Sequence, residues 1–354
     1  MSILTGKTIV VTGGTGSLGQ VLIRRLLSGE MGQPEKIIVF SRDEAKQHNM
    51  RVEYLQKKAV TDEVIYRNFQ QLLEFRIGDV RDFHSVSSCL RNADVIFNAA
   101  ALKQVPTCEY FPFEAVQTNI GGPQNIVRVI REHNLPVELV VGISTDKACK
   151  PVNVMGMTKA IQERVFIRAN LDCPKTRFLC VRYGNVLASR GSVIPLFHEQ
   201  IRKGGPITIT TDNMTRFLLS LEQAVDTIFA AVTEGYRGET YIPRVPSAKM
   251  MDLANVMIGD KPIDITITGI RPGEKIHEIL VSEEEAHRTI DRNHYYVILP
   301  ILPELRRSDE EKNYLTKEYS SADYLMSSQD LQDLLEAYNL LRLDKTGLES
   351  ELIR

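Results

Sequence analysis

Four features that would each indicate a particular class of protein are missing from this sequence. Its 354 residues contain 43 lysines and arginines against 45 aspartates and glutamates, which gives a formal charge of −2. Without a basic excess, the chain shows no sign of binding nucleic acid or an anionic membrane. Its five cysteines lack CxxC and Cys/His spacing, so the sequence predicts neither a disulfide framework nor a metal site. We find no internal repeat, and no apolar run approaches the length that spans a bilayer.

These absences favour a globular protein of the cytoplasm. An odd number of cysteines suits a reducing compartment, and the chain passes from Met1 into a predicted strand within a few residues. With 43% apolar residues, the chain can bury a full core as one large domain or as two interleaved lobes. We therefore predict a soluble, cytoplasmic protein.

What the sequence does contain begins with a glycine-rich turn between a β-branched run at 7–12 and helical apolar spacing over 21–27. The G-x-x-G-x-x-G spacing permits a tight turn and lets a pyrophosphate approach the backbone at a helix N-terminus. Glycine-rich turns also occur without ligands, but the order strand, turn, helix favours a dinucleotide. The predicted cofactor residues of this turn are Gly13, Thr15, Gly16, Ser17, Leu18 and Gly19.

The end of the second predicted strand bears on the choice of cofactor. Ser41 and Arg42 stand where NAD enzymes usually have a carboxylate for the ribose hydroxyls, and Lys46 follows one turn later. Cations at this point suit the extra phosphate of NADP, which we favour. Asp43 keeps NAD open, and Arg42 alone could simply solvate a helix start.

Three later strand ends add to the predicted cofactor site. Asp79 can accept a hydrogen bond from an adenine amino group and Val80 can offer its backbone, although Asp79 is equally placed to be a helix N-cap. Small residues at 99–101 let the backbone pass close to a ribose and nicotinamide, or form a buried alanine turn. The remaining predicted cofactor residues are Ala99, Ala100, Ala101, Lys159 and Tyr183.

The stretch with the most chemistry follows the apolar run 139–143, which predicts a buried parallel strand. Thr145, Asp146 and Lys147 emerge at its carboxyl end, where open α/β sheets hold their ligands. A hydroxyl, an acid and an ammonium group placed side by side there suggest proton transfer. Taken alone, the three residues could be no more than a strand-to-helix turn.

Met155 and Lys159 lie four residues apart on a helix predicted to begin at Asn153, so they share one face. Short-chain dehydrogenases usually have a tyrosine at the first of these positions, and Met155 cannot accept a proton. Either the protein has lost its chemistry or another group handles the proton. Because Asp146 and Lys147 supply such groups, we favour an active enzyme.

Two arginines outside the cofactor half, Arg216 and Arg271, each lie in a predicted turn. Guanidinium groups bind phosphate oxygens bidentately, so the pair suits a diphosphate. Either arginine taken alone could instead form a structural ion pair.

Eight motifs in a fixed order resemble one known family. They are Gly13-x-x-Gly16-x-x-Gly19, Asp79-Val80-Arg81-Asp82, Ala99 to Pro106, Ser144 to Ala148, Arg182 to Val186, Gly191 to Pro195, Met214 to Phe217 and Arg271 to Lys275. Together they resemble the UDP-N-acetylglucosamine 4,6-dehydratases, extended short-chain dehydrogenase/reductases of bacterial polysaccharide and glycan pathways. The resemblance covers roughly residues 5 to 290 and extends to members that also carry methionine at position 155.

The resemblance implies a redox-neutral dehydration of UDP-N-acetylglucosamine by a protein that holds NADP or NAD tightly. Hydride leaves carbon 4 for the nicotinamide, water is eliminated across carbons 5 and 6, and the hydride returns to carbon 6. Lys147 would be the base at carbon 5, Asp146 the acid for the 6-hydroxyl, and Thr145 a hydrogen-bond partner of the 4-oxygen. The acceptor of the carbon 4 hydroxyl proton is left open. Lys159 would hold the nicotinamide ribose. The implied substrate residues are Lys103, Asn185, Ser192, Val193, Thr208, Met214, Arg216, Arg271 and Glu274.

The expected architecture is an α/β fold, a Rossmann-type doubly wound parallel sheet with a smaller interleaved C-terminal substrate lobe. We assign the Rossmann domain to 1–184 with about 217–260 returning to it, the substrate lobe to 185–216 and 261–300, and an interface or latch to 301–354. The long helix predicted over 113–133 and the helix at Asn153 would pair in a homo-oligomer, a dimer or larger.

Two rival functions remain at this stage. A UDP-sugar 4-epimerase needs no acid at carbon 6, so Asp146 and Lys147 argue against it. A catalytically silent, cofactor-sensing protein is suggested by Met155. For a dehydratase, a lysine that removes and returns the proton from one side favours retention at carbon 5 over inversion.

Overall fold

The computed structural model describes residues 2–56, 71–187, 192–307 and 315–341. The first half contains β1 (Thr8–Thr12), α1 (Ser17–Leu27), β2 (Lys36–Ser41), α2 (Glu44–Gln56), β3 (Leu73–Ile77), α3 (Phe83–Leu90), β4 (Val95–Asn98), α4 (Val105–Tyr110), α5 (Pro112–Val116), α6 (Gly122–Glu132), β5 (Leu139–Thr145), α7 (Val154–Asp172) and β6 (Arg177–Tyr183). The second half contains α8 (Val193–Arg202), β7 (Ile207–Ile209), β8 (Thr215–Phe217), α9 (Leu221–Glu234), β9 (Thr240–Pro243), β10 (Ser247–Lys249), α10 (Met250–Ile258), β11 (Ile265–Ile267), β12 (Ile279–Val281), α11 (Glu283–Ala286), β13 (Thr289–Arg292), β14 (Tyr295–Ile298), β15 (Tyr319–Ser320) and α12 (Ser328–Ala337).

A nine-stranded sheet organises the fold, with the order β3-β2-β1-β4-β5-β6-β9-β14-β13. The first seven strands in this order are parallel, and β14 and β13 extend the sheet antiparallel. The order reverses between β1 and β4, and this switch point opens a crevice at the carboxyl ends of the strands. The predicted Rossmann-type sheet is confirmed.

Both faces of the large sheet are covered by helices, which explains why its strands are apolar along their whole length. Successive residues of β1 point to opposite faces: Val11 belongs to the core beneath α1 and α9, and Val10 to the core beneath α3, α6 and α7. Five-residue β1 is buried at every position. Because both faces are buried, the register of each strand is fixed, and so is the position at which its polar carboxyl end emerges from the sheet.

A second, smaller lobe packs around its own apolar core. It is built from the parallel pair β7 and β11, the antiparallel pair β8 and β10, and helices α8, α10 and α12. Leu331 and Leu335 of α12 are buried in the same core as Leu253 of α10, and the two helices are in contact. The tail strand β15 pairs with β12, so the described part of the predicted tail is packed within the same chain.

The structure differs from the sequence-based expectation in three respects. Strands β13 and β14 fall within 261–300, which the sequence assigns to the substrate lobe, but they hydrogen-bond to the large sheet. Helix α10 falls within 217–260 yet belongs to the core of the smaller lobe. The helix predicted over 113–133 is broken into α5 and α6 by a π-helical turn at Gln117–Gly121.

All five cysteines are buried and none forms a disulfide. Burial raises the pKa of the Cys89 and Cys149 thiols to about 12, so both thiols stay protonated near neutral pH. Among the helices of the described residues, none combines the length and the apolar character that crossing a bilayer requires.

Candidate active site

A cleft of about 810 Å³ lies between the two lobes at the carboxyl edge of the large sheet. Nearly all of the residues predicted from the sequence to bind cofactor or substrate line it. The predicted residues that line the cleft are Gly13, Thr15, Gly16, Ser17, Leu18, Gly19, Ser41, Arg42, Lys46, Asp79, Val80, Ala99, Ala100, Ala101, Lys103, Thr145, Lys147, Met155, Lys159, Tyr183, Asn185, Ser192, Val193, Arg216, Arg271 and Glu274. Residues predicted from distant parts of the sequence are therefore brought together in one place.

Two predicted substrate residues do not line the cleft. Thr208 lies in β7, where its hydroxyl accepts a hydrogen bond of 2.7 Å from Gln200. Met214 is buried in the core of the smaller lobe. Gly191, from the motif at 191–195, lies outside the described residues.

The glycine turn forms a cradle in which side chains have no room. Gly13 has a φ of +66°, and a Cβ there would lie 2.7 Å from the backbone nitrogen of Ala100. A Cβ on Gly19 would lie 2.6 Å from the Cα of Gly14, so this glycine lets α1 approach the turn. Gly16 is the N-cap of α1 and carries no side chain that could cap its N–H groups. The first turn of α1 thus offers unpaired donors to an anion, as a dinucleotide pyrophosphate requires.

The end of β2 presents the predicted cations to the cleft. The hydroxyls of Thr15 and Ser41 lie 3.0 Å apart and tie the glycine turn to this strand end. The Arg42 side chain is 57% exposed, and its guanidinium is 3.9 Å from the Asp79 carboxylate. Lys46 forms an ion pair of 2.7 Å with Asp43. Arg42 is loosely held and can turn towards a ligand phosphate.

Asp79 is held as a carboxylate in the wall of the cleft. Burial alone would raise the pKa of Asp79, but hydrogen bonds from the side chain and backbone of Arg81 outweigh it and lower the pKa. The N-cap of α3 is Asp82, whose side chain accepts from two backbone N–H groups. The role of helix N-cap, which the sequence also allowed for Asp79, is therefore filled by Asp82.

Thr145, Asp146 and Lys147 form a connected group where β5 passes into a 3-10 turn. The Asp146 Oδ1 atom accepts hydrogen bonds from the Thr145 hydroxyl at 2.8 Å and from Lys147 Nζ at 3.0 Å. Lys147 Nζ also donates to Asn185 Oδ1 at 3.1 Å. Asp146 is fully buried and its Oδ2 atom has no partner. Asp146 itself is not in the cleft wall and reaches the cleft through its two neighbours.

A second buried carboxylate, Glu278, faces Lys147 from the other side of the cleft. Its Oε1 atom is 3.4 Å from Lys147 Nζ and 3.7 Å from Arg216 Nε. Burial by itself lowers the pKa of Lys147, but the charges of Asp146 and Glu278 prevail and raise it. Lys147 is therefore an ammonium group at neutral pH in the resting structure.

Met155 and Lys159 project from α7 into the cleft, as their spacing predicts. Met155 is 5% exposed and packs with Cys108 and Ala115. Lys159 Nζ donates to Gln162 Oε1 at 2.7 Å, and burial lowers the pKa of Lys159 to about 8. Asn153 caps α7 through a 2.8 Å bond from the Gly156 N–H, which fixes the position of both side chains.

The two arginines differ in how they are held. Arg216 donates to the carbonyl oxygens of Thr215, Ile276 and Lys275, so its guanidinium braces the turn before β12. Arg271 lies exposed at the rim of the cleft, beside Glu274. Of the two, Arg271 is the freer to meet a diphosphate.

Glu278 and Thr118 also line the cleft but were missed by sequence reasoning. The Thr118 hydroxyl is buried in the wall of the cleft without a hydrogen-bond partner. The sequence gives one indication of Glu278: it is a charged residue directly before the apolar run 279–281, and so it stands at the start of a predicted strand. Thr118 gives no such signal because it lies in the π-helical turn.

Comparison with known proteins identifies the family and the fold. The family model described as "Polysaccharide biosynthesis protein" matches residues 9–300. A UDP-glucose 4-epimerase from Rickettsia conorii is 43% identical over 297 residues, which are 82% of this chain and 82% of that protein. The X-ray structure of Pen from Bacillus thuringiensis has a TM-score of 0.83 at 33% identity and covers 95% of this chain and 99% of its own. A dTDP-glucose 4,6-dehydratase from Streptomyces venezuelae, solved with NAD bound, has a TM-score of 0.63 at 21% identity over 76% and 86% of the two chains.

The fold is that of solved nucleotide-sugar dehydratases and epimerases, and the Rickettsia conorii relative carries the name of such an epimerase. The chain belongs to the polysaccharide biosynthesis protein family.

Proposed function

We propose that this protein is a UDP-N-acetylglucosamine 4,6-dehydratase with NADP as its bound cofactor. The observation that carries the proposal is the 3.0 Å contact between Lys147 Nζ and Asp146 Oδ1 at the carboxyl end of β5. This contact places an ammonium group and a buried carboxylate side by side, so that two different substrate atoms can exchange protons with one cluster. Epimerisation at carbon 4 has no use for a second proton donor.

The residues of the cradle fit a nicotinamide dinucleotide. The positions where a Cβ would collide, Gly13 and Gly19, leave room for a pyrophosphate at the start of α1. Ala99 to Ala101 follow β4 and supply a flat backbone wall, and Lys159 stands opposite. When bound, the nicotinamide supplies hydride acceptance and return, which makes the overall dehydration redox-neutral.

The chain's own residues would then divide the remaining work. Thr145, whose hydroxyl donates to Asp146, is placed to exchange that bond for one with the sugar 4-oxygen. Lys147 would take the carbon 5 proton and return it from the same side, which gives retention at that carbon. Asp146 would give the proton that leaves with the 6-hydroxyl as water. Arg271 and Glu274 at the rim would hold the UDP part.

The second candidate is a UDP-sugar 4-epimerase, and the name of the Rickettsia conorii relative favours it. Epimerisation requires one group that takes and returns the proton of the 4-hydroxyl. Here the usual tyrosine position is Met155. Lys147 instead forms a cluster of three ionisable side chains with Asp146 and Glu278. These three side chains can hold more protons than the single exchange at the 4-hydroxyl requires in an epimerase.

Proton NMR of the purified protein with UDP-N-acetylglucosamine in deuterated water, without added cofactor, tests the proposal. A new methyl signal from carbon 6 with deuterium at carbon 5 is the expected result, and the ring couplings report retention or inversion. A new galacto-configured sugar without a methyl group would establish the epimerase instead. Unchanged substrate in the presence of demonstrably bound cofactor would indicate a different nucleotide sugar first and a silent sensor second.

The cofactor preference gives a first prediction. Exchanging Arg42 for aspartate should weaken NADP binding by about tenfold to a hundredfold and leave NAD binding within about threefold, because only NADP has a phosphate at this point. Isothermal titration of protein stripped of nucleotide measures both constants. Lys36→Asp is the matched control, since Lys36 begins the same strand at the far edge of the sheet. Equal losses for both cofactors would contradict NADP as the preferred one.

The exposed apolar residues of α4, α5 and α7 give a second prediction. Tyr110, Phe111 and Phe113 are 82%, 60% and 67% exposed, and Met157 and Ile161 of α7 are also exposed. A patch of this kind marks an association surface, so we expect a homodimer that pairs these helices. Phe113→Asp should convert the dimer to a monomer in sedimentation velocity, whereas Tyr324→Asp, an exposed aromatic of the tail, should not. A wild-type monomer would contradict the pairing.

A further inference from the structure

The proposed dehydration transfers more protons than Asp146 and Lys147 can exchange between them. The substrate gives up two protons, from the 4-hydroxyl and from carbon 5, and receives two, on the departing 6-hydroxyl and on carbon 5. At rest the Asp146 and Lys147 pair holds one proton, on the lysine. If the 4-hydroxyl proton enters the pair, both members are protonated and no base is left for carbon 5. A third proton site must therefore open before carbon 5 can react.

In relatives with tyrosine at the position of Met155, that tyrosine can be the third site. Met155 has no acidic or basic atom, and it is packed against Cys108 and Ala115 rather than leaving space for a bridging side chain. Tyr183 also lines the cleft, but burial raises its pKa far above the neutral range, so it stays a neutral phenol. The third site has to be sought elsewhere in the cleft wall.

We propose that Glu278 is the third proton site of the cleft, and this inference rests on the proposed dehydratase function. Glu278 is 2% exposed, and its Oε1 atom lies 3.4 Å from Lys147 Nζ. Its Oε2 atom is buried and unpartnered, so one carboxylate oxygen is free to take a proton. Because Glu278 acts through Lys147 and touches no reacting atom, it is a positioning residue: it determines where the protons of the cleft reside.

The backbone of Glu278 is held in place from the tail of the chain. Its N–H donates to the Ser321 hydroxyl at 2.9 Å, and its carbonyl oxygen accepts from the Ser321 N–H at 2.8 Å. The Ser321 hydroxyl also lies 2.7 Å from that of Thr215 on β8. These bonds hold the backbone of Glu278 at both its N–H and its carbonyl oxygen. The side-chain carboxylate therefore keeps a constant distance to Lys147 during turnover.

With Glu278 included, the proton count closes. The cluster starts with one proton, on Lys147, and gains a second when the 4-hydroxyl proton passes to Asp146. Lys147 then hands its own proton to Glu278 as it takes the carbon 5 proton. Asp146 gives its proton to the leaving water, and Lys147 returns its proton to carbon 5. The proton left on Glu278 restores the resting state by returning to Lys147.

The other charged groups near Glu278 also face it and enter the pH dependence. Arg216 of β8 approaches to 3.7 Å and places a positive charge beside it. Burial lowers the pKa of Lys275, which lies on the same turn, and Glu278 partly offsets that effect. His277, the adjacent residue, turns away and bonds the Thr215 hydroxyl at 2.8 Å. Lys147 remains the group in direct proton exchange.

The test compares Glu278→Gln with Glu278→Asp in the rate of methyl product formation across pH. Without the third site, a cycle closes only in molecules whose Lys147 has already lost its proton to solvent. Glu278→Gln should therefore be about a hundredfold slower at pH 7 and gain about tenfold per pH unit, whereas the wild type stays flat. Glu278→Asp keeps a carboxylate and should keep the flat profile at a lower rate.

A merely structural role would lower the rate of Glu278→Gln equally at every pH, and that result would overturn the proposal, as would a wild-type rate. Glu239→Gln is the matched control: Glu239 is also 2% exposed and bonds Arg292 at 2.8 Å, but it lies at the opposite edge of the sheet. Its variant should lose stability and keep the flat pH profile.

A second measurement separates failure of this inference from failure of the proposed function. If the wild type forms no methyl product, the dehydratase is wrong, and the Glu278 contact is then judged by NMR of lysine labelled with nitrogen-15. The Lys147 signal is assigned from its loss in Lys147→Arg. Glu278→Gln should lower the titration midpoint of Lys147, and an unmoved midpoint would show that the two groups exchange no charge.

Discussion

Replacing Lys147 with arginine is expected to lower the proposed dehydration by about a thousandfold while leaving cofactor and substrate bound. Arginine keeps the positive charge between Asp146 and Glu278 but cannot release a proton near neutral pH. The variant thus removes proton transfer without leaving a buried carboxylate unpaired. Methyl product formation by NMR measures the loss, and nucleotide retained on the purified protein checks the fold.

The matched control for this prediction is Lys150→Gln. Lys150 lies three residues away and forms surface ion pairs with Glu318 at 3.1 Å and Glu283 at 3.6 Å. Because it does not line the cleft, its loss should change the rate by less than about twofold. A Lys147→Arg protein that forms product at the wild-type rate would remove Lys147 from the chemistry.

The largest expected loss of stability comes from Arg182→Met. Arg182 is 2% exposed in β6 and bonds Glu163 of α7 and Glu285 of α11, each at 2.7 Å. Removing the cation takes the main partner from two buried carboxylates and leaves only Arg288, 3.5 Å from Glu285, which costs about 3–5 kcal/mol of unfolding free energy. Urea unfolding followed by circular dichroism measures this, since the sequence contains no tryptophan.

This network also gives the pH dependence of stability a definite sign. Burial raises the pKa of Glu285, but Arg182 outweighs it and lowers the pKa from 4.5 to about 2. A depressed pKa stabilises the fold above pH 4.5, and this contribution is lost as the pH falls towards 2. Arg182→Met should flatten the stability curve in this range. Lys203→Met, which breaks the exposed pair with Glu199, is the control and should change stability by less than about 1 kcal/mol. An unshifted urea midpoint for Arg182→Met would contradict the role of the network.

The parts of the fold that depend on short-range patterns were predictable. The glycine spacing, the strand ends at Ser41 and Thr145, and the face shared by Met155 and Lys159 follow from local steric rules and the helical period. A parallel sheet then brings the strand ends together, because all of its carboxyl ends meet at one edge.

The parts that depend on long-range pairing could not be read from the pattern. Strands β13 and β14 have no local feature that distinguishes the edge of the large sheet from a sheet of their own. Glu278 becomes part of the cleft only because β12 pairs with β15 and because Arg216 braces the preceding turn. The motif at Met214 predicted a contact with substrate, but Met214 itself packs into the lobe core while its neighbour Arg216 faces the cleft.

The clamp of Ser321 on Glu278 has a consequence for the order in which a newly made chain becomes competent. The glycine turn and the first six strands of the sheet are translated long before residue 321 leaves the ribosome. A growing chain can therefore form its nucleotide cradle while Glu278 still lacks its backbone partner. On the proposed function, cofactor loading would then precede chemistry, and a chain that ends before residue 321 would hold nucleotide without processing sugar.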